Sequence, residues 1–170
     1  MDKSARVSDT PDRLFVRTFI DELQSPRRLV GSPLADKFEI TLLEGEEGRV
    51  VLGAEVDASF TQGGGVLQGG VVSTLLDFGL GLASLSILDA PQTVATTSMT
   101  TDFLRSALPG RYRVEAEVVK KGKKVVFARA QLVRTGRPCC HSQFATDCCR
   151  PGITRIRRVR LTKIKRDSNA

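Results

Sequence analysis

The segment Gln68-Gly69-Gly70-Val71-Val72-Ser73-Thr74-Leu75-Leu76-Asp77 places a glycine pair at a helix start and one carboxylate about two turns later in an otherwise apolar run. Both features carry a cost. Glycine weakens a helix by roughly 1 kcal/mol relative to alanine, and a buried carboxylate without a partner costs several kcal/mol or shifts its pKa. The chemistry that would use them is carbonyl chemistry. Gly69 presents backbone N–H groups at the positive end of the helix dipole, which suits the oxygen of a polarised carbonyl. Asp77 is the candidate to attack the carbonyl carbon or to activate water. The competing reading is plain structure: a Gly-Gly before a helix, and an aspartate facing solvent.

Reach decides how these two groups can cooperate. Eight residues of helix span about 12 Å, whereas donor and base must each lie within about 3 Å of the atoms they serve. One carbonyl therefore cannot meet both groups of one chain. Cooperation requires two chains in antiparallel contact, so this chemistry predicts an oligomer. The helix carries a suitable surface. Gly70, Ser73, Thr74, Asp77, Gly81 and Ser84 recur at spacings of three and four, a stripe of small and polar residues. A twofold helix contact is self-complementary and needs such a stripe. Val72, Leu75, Leu76, Leu82 and Ile87 supply the apolar bulk for a sheet.

The elements that position this helix follow from local signals. Thr10-Pro11 reads as an N-cap and an N1 proline, and Leu14, Phe15, Phe19, Ile20 and Leu23 recur at helical spacing, predicting a short helix over 11–24. Ser25-Pro26 ends it, and 27–35 reads as loop. Two strand-like runs, 38–42 and 50–56, flank a turn at 44–48. Residues 57–68 form a Gly-rich loop, and the central helix runs over 69–88 until Asp89-Ala90-Pro91 stops it. Strands follow over 93–104, 112–121 and 125–134, with Lys121-Gly122-Lys123 as a tight turn and a weaker last strand over 139–146. One long helix against an antiparallel sheet of five to six strands is an α+β layer architecture. The expected organisation is a flexible 1–10, one domain over 11–147 and a basic tail over 148–170, either disordered or an added edge strand.

Composition narrows the classes. At 170 residues the chain fits one domain with a real core. No apolar run approaches the roughly 18 residues of a membrane span, and residues 1–12 lack the core of a signal peptide; the expected location is the cytoplasm. The net charge of +7 belongs wholly to residues 150–170, which hold eight basic side chains and one acid, so the first 149 residues sum to zero. A salt-sensitive contact of this tail with nucleic acid or an anionic surface is one reading, although zero Trp and one Tyr supply no stacking platform for bases. The cysteines form two vicinal pairs, Cys139-Cys140 and Cys148-Cys149, with His141 beside the first. That spacing differs from a zinc knuckle, and reduced thiols are the simpler reading. No metal or cofactor is expected.

With these residues in hand, the chain resembles the PaaI-type acyl-CoA thioesterases of the hotdog superfamily. Those proteins carry an HGG-x6-D/E segment, which reads QGGVVSTLLD here. Residues 96–107, TTSMTTDFLRSA, resemble the family strand that ends FLRPA. The similarity covers about residues 11–146. It implies a hotdog fold, with the long helix wrapped by the sheet. It further implies hydrolysis of an acyl-CoA thioester by a homotetramer built as a dimer of dimers, without a cofactor. Asp77 would be nucleophile or general base, and the Gly69 N–H would polarise the carbonyl. Gln62 stands where some relatives carry an Asn, and Thr96 near a small hydroxyl residue of relatives. Gly70 and Ser73 would border the substrate. Arg105, Lys121 and Lys123 are candidate cations for the CoA phosphates. Gln68 replaces the usual His; its amide donates a hydrogen bond but cannot shuttle a proton. A non-catalytic hotdog protein that binds acyl-CoA is therefore the alternative.

Overall fold

A computed structural model of the chain describes residues 9–22, 25–135 and 153–165. The elements in chain order are α1 (Pro11–Asp21), β1 (Arg27–Arg28), α2 (Pro33–Lys37), β2 (Thr41–Glu46), β3 (Arg49–Val56), a 3-10 turn (Ala58–Phe60), α3 (Gly69–Leu85), β4 (Gln92–Asp102), β5 (Gly110–Lys121), β6 (Val125–Thr135) and β7 (Ile153–Lys165). All seven strands form one antiparallel sheet in the order β1-β2-β3-β5-β6-β7-β4. This is the expected α+β layer, with α3 laid across one face and packed chiefly on β5 and β6.

Alternation along the strands builds the core. Val50, Leu52, Ala54 and Val56 of β3, Tyr112, Val114 and Ala116 of β5, and Val126, Ala128, Ala130 and Leu132 of β6 are buried beneath α3. The helix answers with Val72, Leu75, Leu76, Leu80, Leu82, Ala83 and Leu85. Gly79 is the point of closest approach: a Cβ there would sit 2.8 Å from Val114 Cγ1 and 3.1 Å from the Ala116 Cβ. The opposite sheet face is polar. Arg113 reaches Glu44 at 2.6 Å and Glu115 at 3.2 Å, and Gln131 donates to Glu115 at 2.7 Å. Glu44 and Glu115 flank Val51 in register, so these side chains roof a valine that is fully buried on the polar face. The two glutamates also hold the Arg113 guanidinium above its ordinary pKa, chiefly through the hydrogen bond that Arg113 donates to Glu44.

Several expectations need correction. Residues 148–170, expected as a tail outside a domain ending at 147, contain β7, which lies between β6 and β4 inside the sheet. Its period escapes a sequence reading because the register skips at Arg157: Arg158 faces Thr100 while Ile156 faces Thr101. The basic segment 153–165 is therefore a strand of the sheet. Residues 44–46 belong to β2 rather than to a turn. The turn is Glu47-Gly48, with Gly48 at φ +81, and Gly45 is needed because the Phe19 ring lies 3.2 Å from where its Cβ would be. Residues 38–40 precede β2, and the expected loop at 27–35 contains β1 and the start of α2. The central helix ends at Leu85, three residues early. The expected strand over 139–146, both cysteine pairs and His141 lie outside the described residues. Among the described residues no helix is long and apolar enough to cross a membrane, and no cluster of His, Cys, Asp or Glu could hold a metal ion.

Candidate active site

The two ends of α3 are treated differently. At the C-terminal end, three successive carbonyls each receive a cation. Arg17 Nη1 donates to Ser86 O at 2.9 Å, Lys121 Nζ to Ile87 O at 2.5 Å, and Arg13 Nε to Leu88 O at 2.7 Å. Cations there complement the negative end of the helix dipole. Arg13 and Arg17 are one turn apart on α1, whose Thr10 Oγ1 caps it by accepting from Arg13 N at 3.3 Å. The Arg17 pKa is raised, chiefly through its hydrogen bond with Glu47.

At the N-terminal end, Gln68 stands at the cap position with its side chain exposed and making no capping bond. Its carbonyl accepts from Val71 N at 3.0 Å and Val72 N at 3.4 Å, and its own N–H donates to Phe60 O at 3.0 Å. Among the described residues no group accepts from the Gly69 or Gly70 N–H. The Phe103 ring covers one side of Gly69, 3.2 Å from where a Cβ would sit, while a Cβ on Gly70 would meet nothing within 4 Å. These N–H groups are the donors that the glycine pair predicts.

Asp77 lies half-buried on the flank of α3 that faces β4. Its Oδ1 accepts from Thr96 Oγ1 at 2.7 Å. A bulge at Thr97 separates Thr96, paired with Leu161, from Ser98, paired with Arg160, and a bulge re-aims side chains. Here it leaves Thr96 on the helix-facing side of the sheet. One turn away along α3, Ser73 Oγ lies 3.5 Å from Thr101 Oγ1. Thr74 Oγ1 donates back to Gly70 O at 2.8 Å, which removes its hydroxyl from the surface chemistry. A Cβ on Gly81 would meet nothing within 4 Å. The open part of the small-residue stripe is thus Gly70, Thr74, Asp77 and Gly81. Ser84, expected on it, is fully buried in the chain.

The remaining expected residues divide between the two ends. Gln62 is exposed on the loop before α3, where its N–H donates to Val66 O at 2.8 Å and its carbonyl accepts from Gly65 N at 2.9 Å. Arg105 is exposed on the loop after β4, beside Phe103 and hence at the Gly69 end. Lys121 and Lys123 lie at the opposite end of α3, where the Lys121 ammonium is taken up by Ile87 O. The helix spans about 24 Å, so Arg105 and Lys121 of one chain do not converge. Sequence reasoning missed the capping role of Arg13, Arg17 and Lys121. It also missed Phe103, whose signal was only its place in the FLRSA run.

Residues 64–141 match the Thioesterase superfamily. A provisionally named esterase of Saccharolobus solfataricus is 33% identical over 94 residues, covering 55% of this chain and 66% of that protein. A provisionally named esterase of Pseudomonas aeruginosa is 34% identical over 85 residues, covering 49% of this chain and 63% of its own length. The chain thus spans just under two thirds of the curated relatives it matches. Among solved structures, a thioesterase family protein from Silicibacter pomeroyi superposes with a TM-score of 0.66 at 27% identity, over 78% of this chain and 90% of that one.

Proposed function

We propose that the chain, whose residues 64–141 match the Thioesterase superfamily and whose hotdog fold is shared with a thioesterase family protein, hydrolyses acyl-CoA thioesters to the free acid and CoA. The observation that carries the reading is the Asp77 carboxylate, held by Thr96 on an open face of an otherwise apolar helix. A carboxylate fixed by one hydrogen bond keeps its second oxygen available to attack a thioester carbonyl or to take a proton from water. Thr96 is then a positioning residue. The Gly69 N–H polarises the carbonyl from the other side, and the Gln68 amide adds a second donor.

The roughly 12 Å of helix between the two groups is why this reading takes them from different subunits. The sheet supports such an assembly. Among the described residues β4 pairs with β7 and stands last in the strand order, at one edge of the sheet. That edge borders the open stripe of α3, through the Thr96–Asp77 bond. A second copy added to the β4 edge would bring its own Gly69 towards Asp77, and two composite sites follow by symmetry. An acyl-CoA binding protein without turnover is the second reading. Gln68, which cannot carry a proton, motivates it.

The test is thiol release followed with DTNB across acetyl-, hexanoyl-, lauroyl-, phenylacetyl- and hydroxybenzoyl-CoA, with a no-substrate blank for the protein's own cysteines. Wild type is expected to release thiol, and Asp77→Asn to fall about a thousandfold with its melting temperature unchanged. Wild-type turnover in Asp77→Asn overturns the mechanism. Saturable binding without thiol release moves the protein to the second reading.

A further inference from the structure

The loop after β4 exposes apolar side chains that no core claims. Phe103 is 54% exposed, Leu104 60% and Leu108 44%. Such exposure on a loosely held loop would mean little. This loop is tied at successive residues: Ala107 O accepts from Leu67 N at 2.7 Å, Leu108 O accepts from the Tyr112 hydroxyl, and Pro109 O accepts from Arg134 Nη2 at 3.0 Å. Burial raises the Tyr112 pKa, opposed by Arg134 and by the bond to Leu108, so the phenol stays protonated and donating at neutral pH. A rimmed apolar surface that is held in place marks a binding site.

Its position says what binds. The Phe103 ring lies on Gly69, against the backbone whose N–H has no acceptor among the described residues, and a Cβ on Gly70 would meet nothing within 4 Å. Two residues further, the same loop carries the cation of Arg105. A ligand whose carbonyl oxygen met the Gly69 N–H would have the Phe103 ring beside its reacting carbon, with a positive charge near its anionic part. Building on the thioesterase reading above, we propose that Phe103, with Leu104, is the specificity-determining wall for the acyl part, and that the substrates are thioesters whose acyl group carries an apolar chain or ring. Acetyl groups are too short to cover the ring. Polar acyl groups would desolvate against it without a partner.

The experiment measures binding rather than turnover, so that it separates from the reaction itself. Hexyl-CoA, a thioether that cannot be hydrolysed, and CoA alone are titrated calorimetrically into wild type, Phe103→Ala and Phe103→Leu. Wild type is expected to bind hexyl-CoA about tenfold more tightly than CoA, the preference that covering one large apolar side chain supplies. Phe103→Ala should bring that ratio close to one with CoA binding unchanged, and Phe103→Leu should keep most of it. A ratio that survives in Phe103→Ala overturns the proposal. An equal loss for both ligands also overturns it, since the ring would then only shape the Gly69 backbone. So does dissociation of Phe103→Ala subunits in sedimentation, which would make the patch a subunit contact. Absence of thiol release by wild type refutes the reaction but not the wall, because the binding ratio still decides the latter.

Discussion

The two ends of α3 show what a chain does with the same backbone problem when it wants stability and when it wants chemistry. Both ends of a helix leave orphan polar groups. At the C-terminal end, Leu82, Ser84 and Leu85 accept from the N–H groups of Ser86, Ile87 and Leu88, and Arg17, Lys121 and Arg13 satisfy the carbonyls of those three following residues in turn. Ser86 Oγ adds a further tie by accepting from Gly48 N at 2.8 Å. At the N-terminal end, nothing among the described residues accepts from Gly69 or Gly70, and the cap position holds a glutamine whose side chain makes no capping bond. A Ser, Thr, Asp or Asn cap there would add about 1 kcal/mol. Its absence leaves the donors open to a ligand. Stability is forgone at the end that the proposed reaction would use.

That contrast can be broken by substitutions that separate the two ends. The largest effect is expected at Gly69. A Cβ in Gly69→Ala would come within 3.2 Å of the Phe103 ring, so the ring or the helix start must shift. Thiol release is expected to fall about a hundredfold, as when one oxyanion donor is lost, with stability changed by less than about 1 kcal/mol. Unfolding of Gly69→Ala with full activity per folded molecule would erase the distinction between the ends.

A smaller effect comes from two glycines in mid-helix. Gly79→Ala would drive a methyl to 2.8 Å from Val114 Cγ1 and is expected to destabilise by about 1–3 kcal/mol in urea melts, as overpacking does. Gly81→Ala meets nothing within the chain. Helix propensity should make it neutral or about 1 kcal/mol stabilising in a monomer. If the stripe is a subunit contact, the same change weakens assembly instead, which sedimentation at falling concentration reads directly.

The smallest effect belongs to the C-terminal cations. Lys121→Ala is expected to cost about 0.3–1 kcal/mol, fading with salt, and to leave KM for acyl-CoA unchanged. A raised KM would return Lys121 to the substrate phosphates, where the sequence first placed it.

Much of the N-terminal end was legible because its signals are local. The glycine pair, the six-residue gap to Asp77 and the apolar bulk all lie within one helix, and the structure starts α3 at Gly69 as expected. Thr96 was legible only as a family position. Its bond to Asp77 depends on a bulge at Thr97, which no periodicity announces. The C-terminal end was not legible, because its donors come from α1 and β5, 34 to 75 residues away in sequence. β7 was legible only as one alternative, an added edge strand, for a different reason: arginines at frequent positions and a register skip at Arg157 hide the alternation of an interior strand.

The central claim is that Gly69 of one subunit and Asp77 of another act on one thioester. Its most direct test is complementation. Asp77→Asn and Gly69→Val subunits, each inactive alone, are co-expressed with different tags and purified through both. Each mixed dimer would hold one intact composite site and one doubly defective site. The account predicts recovered thiol release, up to about half the wild-type rate per dimer. Mixed oligomers, verified by native mass spectrometry, that stay as inactive as their parents would contradict it.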